Sequence, residues 1–166
     1  VVKNIISKIT PTFVALVLFV AVTAACFAPQ FEGKVLQQHD IEQFNGMSRD
    51  IREHRDLTGE DPQWTGAMFG DMPAYQINIR YPAQIIKSAG DWFFGLVGEP
   101  SSMLLCAMLA AFAMVVMMGY SPWIGIVAGL AYGLSTYFFL IIGAGHITKM
   151  WALVFAPAMM GAIYMT

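Results

Sequence analysis

Charge is almost absent from the C-terminal part of this sequence. Between Ser101 and Thr166 the only charged residue is Lys149. Over all 166 residues, 12% are charged, 57% are hydrophobic, and the mean hydropathy is +0.60. A soluble domain averages about 25% charged residues. The composition therefore predicts an α-helical integral membrane protein whose main partner is the lipid bilayer.

The sequence lacks the features that are typical of several classes of protein. It has no basic face to neutralise phosphates, which argues against nucleic-acid binding. Its two cysteines, Cys26 and Cys106, lie inside apolar runs, where cysteine acts as a small hydrophobic residue, and no Cys/His cluster has zinc-site spacing. No P-loop, nucleophile elbow, zinc-protease or dinucleotide-binding signature is present.

Four apolar runs predict four transmembrane helices, because each is close to the roughly 20 residues that cross a bilayer. Pro11 is expected in the first turn of the first helix and Pro29 just past its end. The fourth run reaches Thr166, so we expect further spans beyond it. The predicted spans are residues 9–28, 101–119, 123–142 and 150–166. These spans divide the chain into three regions: residues 1–29 contain the first helix, residues 30–100 form a long extracytoplasmic loop, and residues 101–166 contain helices two to four.

Topology follows from Lys3 and Lys8, which precede the first span. The positive-inside rule places the N-terminus in the cytoplasm and the 30–100 loop outside. Two more spans return the chain outward, so His146 and Lys149 are expected on the same outer face. A cleaved signal peptide is the alternative for residues 1–28, since residues 23–26 resemble a lipoprotein cleavage box.

The loop carries eleven acidic and six basic residues, a net charge of −5, and has its own pattern. Residues 41–57 predict a charged helix with Phe44, Met47 and Ile51 on one face and a solvated row of Arg49, Arg52 and Arg55. Turns are expected at 58–62 and 70–73. Residues 81–97 predict an amphipathic helix on the membrane surface.

Asp40 is the first candidate site residue, flanked by Gln38 and His39. A carboxylate near the outer surface can serve as a general base, bind a substrate hydroxyl, or help to hold a divalent cation. The alternative is an ordinary cap for the helix that is expected to begin near Ile41.

His146 and Lys149 form the second candidate, in a polar break with Gly143 and Gly145 between two apolar runs. Lysine suits a phosphate or pyrophosphate group as a point charge. The alternative is a lysine that reaches to the interface and a histidine that caps a helix.

Residues 64–76 are the third candidate, because they are rich in aromatic side chains and glycine. Trp64, Phe69 and Tyr75 are suited to stacking on sugar rings, and equally to anchoring the loop among lipid headgroups.

The segments 37–44, 64–76 and 145–149 occur in an order that resembles the N-terminal part of the YfhO-type bacterial membrane proteins. The similarity extends over essentially the whole chain. In that pattern the position of Asp71 is usually glycine, which argues against a catalytic Asp71.

The YfhO-type proteins are similar to the GT-C glycosyltransferases, so the resemblance implies a GT-C-like fold in the bacterial inner membrane. It implies sugar transfer from a polyprenyl-phosphate donor to an envelope glycan or protein, with Asp40 catalytic and a divalent metal, Mg or Mn, at Asp40. The alternative is a non-catalytic scaffold or transport component that binds a partner through its outer loop. The substrate-binding residues implied are Gln38, His39, Trp64, Tyr75, Gln76, His146 and Lys149.

Overall fold

The fold was analysed in a computed structural model that describes residues 2–67, 69–78, 95 and 98–166, with side chains from Thr10 onward. The protein is 73% helical, which confirms the predicted α-helical class. The chain divides into two compact units. One comprises Val1–Gln37 with Phe93–Thr166, and the other comprises Gln38–Trp92.

The first helix, α1, spans Val2–Cys26, and a short helix, α2, follows at Ala28–Phe31. The expectation that Pro11 lies in the first turn is wrong, because α1 begins nine residues before it. An apolar run identifies only the part of a helix that lipid can surround. The backbone hydrogen bonds of the helix continue through the polar residues next to that run until a stop signal appears. Pro29 lies in the first turn of α2, where its missing N–H removes no helical bond.

Helix α5 spans Ser101–Met117, close to the predicted 101–119. The predicted third helix is wrong as a single element. It is two helices, α6 over Pro122–Gly133 and α7 over Thr136–Ala144, bent by 45°. Ser135 has an extended backbone (φ −57°, ψ 126°) at the N-cap of α7. Glycine followed closely by serine supplies local stop and start signals without a proline.

Helix α8 spans Ile147–Met165 and contains Pro157. Proline has no backbone N–H, so the carbonyl of Leu153, four residues earlier, loses its usual donor. The Tyr132 hydroxyl of α6 donates to that carbonyl at 2.7 Å. A side chain of one helix therefore replaces the backbone bond that proline removes from another.

The core of this unit depends on three glycines of α6 at four-residue spacing, which share one helix face. A Cβ at Gly125 would lie 2.9 Å from Phe112 Cδ2, and one at Gly129 would lie 2.5 Å from Phe19 Cζ. Small residues let helix backbones approach closely, as in membrane helix pairs. A second cluster, between α5, α7 and α8, includes buried Met103, Ile142, Met150 and Val154.

Length and apolarity single out α8. Within the described residues it is the one helix long and apolar enough to cross a bilayer, and α6 with α7 adds a second only if the bent pair counts as one span. Residues 10–26 of α1 and all of α5 are shorter apolar helices. The four-span arrangement therefore stays a prediction.

The second unit begins with α3 over His39–Met47 and α4 over Arg49–Thr58. The predicted continuous helix over 41–57 is interrupted at Ser48, which is fully buried and donates its hydroxyl to the Phe44 carbonyl at 2.7 Å. Ile51 is buried as expected, and Gly59 ends α4 in the left-handed conformation (φ 79°) within the predicted turn.

A small hairpin follows, in which β1 (Trp64–Thr65) pairs antiparallel with β2 (Met72–Pro73). Trp64 lies opposite Pro73 in this register. The predicted turn at 70–73 is confirmed only in part, because Gly70 lies in a turn with φ 76°, whereas Met72 and Pro73 form the second strand. A short 3-10 helix, Ala74–Gln76, comes next. The surface helix predicted over 81–97 lies outside the described residues, apart from Gly95.

Candidate functional site

Asp40 lies in the first turn of α3, one residue after His39 and two after the N-cap Gln38. Its side chain is half-buried, and that of His39 is exposed. A carboxylate in a first turn is favoured by the positive end of the helix dipole. The structure therefore gives Asp40 a role in helix stability and leaves its carboxylate partly accessible for chemistry.

His146 and Lys149 lie at the junction of α7 and α8. Gly145 ends α7 with a left-handed backbone (φ 97°), and His146 is the N-cap of α8. Lys149 lies within α8, three residues after this N-cap. Both side chains are exposed.

Lys149 occupies the first turn of α8, where the helix dipole disfavours a positive charge. Its ammonium nitrogen lies 5.1 Å from the centroid of the Tyr137 ring. A cation over an aromatic face at this distance is attracted by about 0.5–1 kcal/mol at an exposed site. Tyr137 thus offsets part of the cost and orients the ammonium group.

Asp40 belongs to the unit Gln38–Trp92, and His146 and Lys149 belong to the other unit. The prediction that these residues form two halves of one site stays a prediction.

The predicted row of solvated arginines is wrong for Arg55. Arg49 pairs on the surface with Glu53 at 2.7 Å, and this hydrogen bond raises the pKa of the Arg49 guanidinium above its ordinary value. Arg52 donates to the side chain and backbone of Asn45. Arg55 is only 6% exposed, and its Nε donates to Asp61 Oδ1. Its Nη2 atom is buried without an acceptor among the described residues.

The Arg55–Asp61 pair borders an open groove of about 460 Å³. Trp64 and Tyr75, which sequence analysis singled out, contribute exposed rings to it, at 63% and 62% exposure. Gln76, the third residue predicted there, lies at the end of the 3-10 helix and does not line it. The lining residues are Asp61, Pro62, Gln63, Trp64, Pro73 and Tyr75.

Several side-chain polar groups of the groove remain available to a ligand. Within the described part of the chain, Asp61 Oδ2, the Gln63 amide, the Trp64 indole N–H and the Tyr75 hydroxyl have no hydrogen-bond partner. Neither ring stacks on another described aromatic ring. The groove thus combines two exposed aromatic rings with hydrogen-bond donors and acceptors.

Comparison of the chain with protein-family models, curated proteins and solved structures gives no match. The YfhO resemblance therefore stays a prediction.

The predicted divalent metal at Asp40 stays a prediction. The described ranges contain no group of three or more His, Cys, Asp or Glu side chains placed to hold an ion. Hard divalent cations require several oxygen ligands. Cys26 and Cys106 are free thiols, the first exposed and the second half-buried. We therefore derive no chemical step through a metal.

Sequence reasoning missed Asp61 and Gln63. Asp61 falls in a cluster of turn residues, where an acidic side chain is ordinarily solvated. One signal was available: Arg55 lies four residues after Ile51, so the two residues share the buried face of α4.

Proposed function

We propose that this chain is part of a membrane glycosyltransferase that moves a sugar from a polyprenyl-phosphate donor to an acceptor in the cell envelope. The proposal includes four spans, formed by α1, α5, the bent pair α6–α7, and α8. It places the N-terminus in the cytoplasm and both Asp40 and Lys149 on the outer face.

The observation that carries the proposal is the position of Lys149. Helix α8 has 19 residues, a length of about 28 Å at 1.5 Å per residue, close to the hydrocarbon thickness of about 30 Å. If α8 spans the bilayer, its first turn lies at the interface, at the depth of lipid phosphates. Lys149 and the free N–H groups of that turn both attract an anion there.

The proposed reaction breaks the bond between the sugar C1 atom and the donor phosphate oxygen, and forms a bond from C1 to an acceptor hydroxyl oxygen. Negative charge develops on the departing phosphate, where the Lys149 ammonium stabilises it. Asp40 takes the proton of the acceptor hydroxyl as general base. His146, one turn from Lys149, is the second group suited to contact the phosphate.

The test is transfer of a radiolabelled sugar from polyprenyl-phosphate donors by the full-length protein. We expect Asp40→Asn to lower the rate by about 10²–10⁴-fold, the usual contribution of a general base. Glu42→Gln is the matched control, because Glu42 shares the first turn of α3 and its favourable dipole. Full transfer by Asp40→Asn, or an equal loss in Glu42→Gln, would refute the catalytic assignment.

Lys149 is tested by the same assay. Lys149→Ala should raise the KM for the donor, and Lys149→Arg should restore part of the affinity because it keeps the charge. Loss of activity without any effect on donor KM would contradict phosphate binding by Lys149.

A second candidate is a scaffold or transport component that binds a partner protein through residues 30–100. The exposed Trp64 and Tyr75 rings favour it, because such residues are enriched at interfaces. This function predicts that Asp40 and Lys149 are individually dispensable and that no sugar is transferred.

A further inference from the structure

We propose that the groove between Trp64 and Tyr75 binds a pyranose unit of an uncharged glycan, and that this glycan is the acceptor. The role of this glycan as acceptor rests on the proposed function, whereas saccharide binding can be measured without any transfer.

The two exposed aromatic rings of the groove suit the C–H face of a sugar. The face of an aromatic ring is electron-rich, and one face of a pyranose ring presents C–H groups of slight positive charge. Trp64 and Tyr75 are both more than 60% exposed, although large aromatic side chains normally gain from burial. A sugar ring covers such faces and keeps its own hydroxyls directed outward.

The polar groups of the groove suit the hydroxyls of a sugar. A sugar hydroxyl both donates and accepts hydrogen bonds, and the groove offers both functions. Asp61 Oδ2 is an acceptor, the Trp64 indole is a donor, and the Gln63 amide is both. The volume of about 460 Å³ lies within the range of about 300–1,000 Å³ that is usual for small-molecule sites.

Charge makes an uncharged glycan the preferred ligand. Asp61 lies in a segment of net charge −5, so a phosphate or an acidic polymer would be repelled. A proline-rich peptide also suits aromatic grooves. Its carbonyls would satisfy Trp64 and Tyr75, but proline offers no N–H to the Asp61 carboxylate, whereas a hydroxyl does.

The backbone of the groove is held in place before any ligand binds. The Ala74 N–H donates to the Gln63 carbonyl at 2.9 Å, next to the Trp64–Pro73 pair of the hairpin. Buried Arg55 fixes Asp61 through one carboxylate oxygen and leaves the other for a ligand. Such preorganisation lowers the entropic cost of binding.

The test is calorimetric titration of the full-length protein in lipid nanodiscs, because maltoside detergents carry sugars. The probes are chitohexaose, maltohexaose, mannohexaose and a decaproline peptide. We expect at least one hexasaccharide to bind, and we expect Trp64→Ala and Tyr75→Ala each to weaken it by about tenfold. Asp61→Asn should weaken it while preserving the fold, because asparagine keeps an acceptor oxygen for Arg55.

Matched controls are Trp123→Ala and Tyr120→Ala, since these side chains are 56% and 60% exposed and lie in the other unit. Absence of saccharide binding, equal losses in the controls, or Trp64-dependent binding of decaproline alone would overturn the proposal.

Transfer assays separate the two proposals. If both hold, Trp64→Ala raises the KM for the acceptor and leaves the KM for the donor unchanged. Saccharide binding without transfer by the wild type would sink the proposed function and leave the groove assignment intact. Transfer with an unchanged acceptor KM in Trp64→Ala would refute the assignment of the groove's glycan as the acceptor and leave the proposed function intact.

Discussion

The hydrogen bond from Tyr132 to Leu153 allows a sharp test of how α8 tolerates Pro157. Tyr132→Phe removes only the hydroxyl, because phenylalanine keeps the edge-to-face contact with Phe138 at 4.8 Å between ring centroids. The Leu153 carbonyl then has neither its backbone donor nor its side-chain donor. We expect the free energy of unfolding to fall by about 1–2 kcal/mol. This range lies between the cost of leaving a buried polar group unsatisfied and the smaller energies measured for hydrogen bonds between membrane helices.

A double-mutant cycle with Pro157→Ala gives the prediction its specificity. Alanine restores an N–H four residues after Leu153, so the carbonyl regains a backbone donor. Tyr132→Phe should then cost close to nothing in the Pro157→Ala background.

The assay is reversible unfolding of the purified protein in mixed micelles, followed by circular dichroism at increasing denaturing detergent. An equal cost of Tyr132→Phe in both backgrounds would show that the hydroxyl acts through something other than the carbonyl freed by Pro157. No cost in either background would show that the bond does not stabilise the fold.

Two further predictions concern packing and charge. Gly129→Ala should destabilise the protein by about 1–3 kcal/mol, since the new Cβ meets Phe19 Cζ at 2.5 Å and the Met108 carbonyl at 2.8 Å. Gly143→Ala has open space and should be near neutral in the same unfolding assay; equal effects would contradict this packing. Arg55→Met should cost about 2 kcal/mol and reduce hydrogen-exchange protection in α4, because it leaves Asp61 without its buried partner. Arg49→Met is the control, because the Arg49–Glu53 pair is exposed and its loss should leave stability essentially unchanged. A loss as large as that of Arg55→Met would refute a special role for Arg55.

The sequence predicts those helices that clear signals delimit. Helix α5 was placed within two residues because Pro100 and Gly119 flank an unbroken apolar run. The bend between α6 and α7 was missed, because its signals are a glycine and a serine that hydropathy does not register. The start of α1 was missed because helical hydrogen bonding continues through polar residues beyond the apolar run.

The residues of the groove were likewise predicted only in part from the sequence. Trp64 and Tyr75 were singled out because residues 64–76 are rich in aromatic side chains and glycine, and both line the groove, whereas their binding role stays a prediction. Asp61 was missed because its role depends on the burial of Arg55, which depends on how α4 packs. The four-residue spacing from Ile51 places Arg55 on the buried face of α4, whereas its pairing with Asp61 depends on the tertiary fold.

Gly133 has a consequence for how this protein can change through mutation. It is the last residue of α6, directly before the bend, and a Cβ there would collide with Met108 Cγ. A substitution that straightened the bent pair by favouring helix would therefore damage the packing against α5 in the same step. Any larger residue at position 133 therefore requires Met108 to move or to be replaced by a smaller residue, so a single substitution here carries a packing cost whatever it does to the bend.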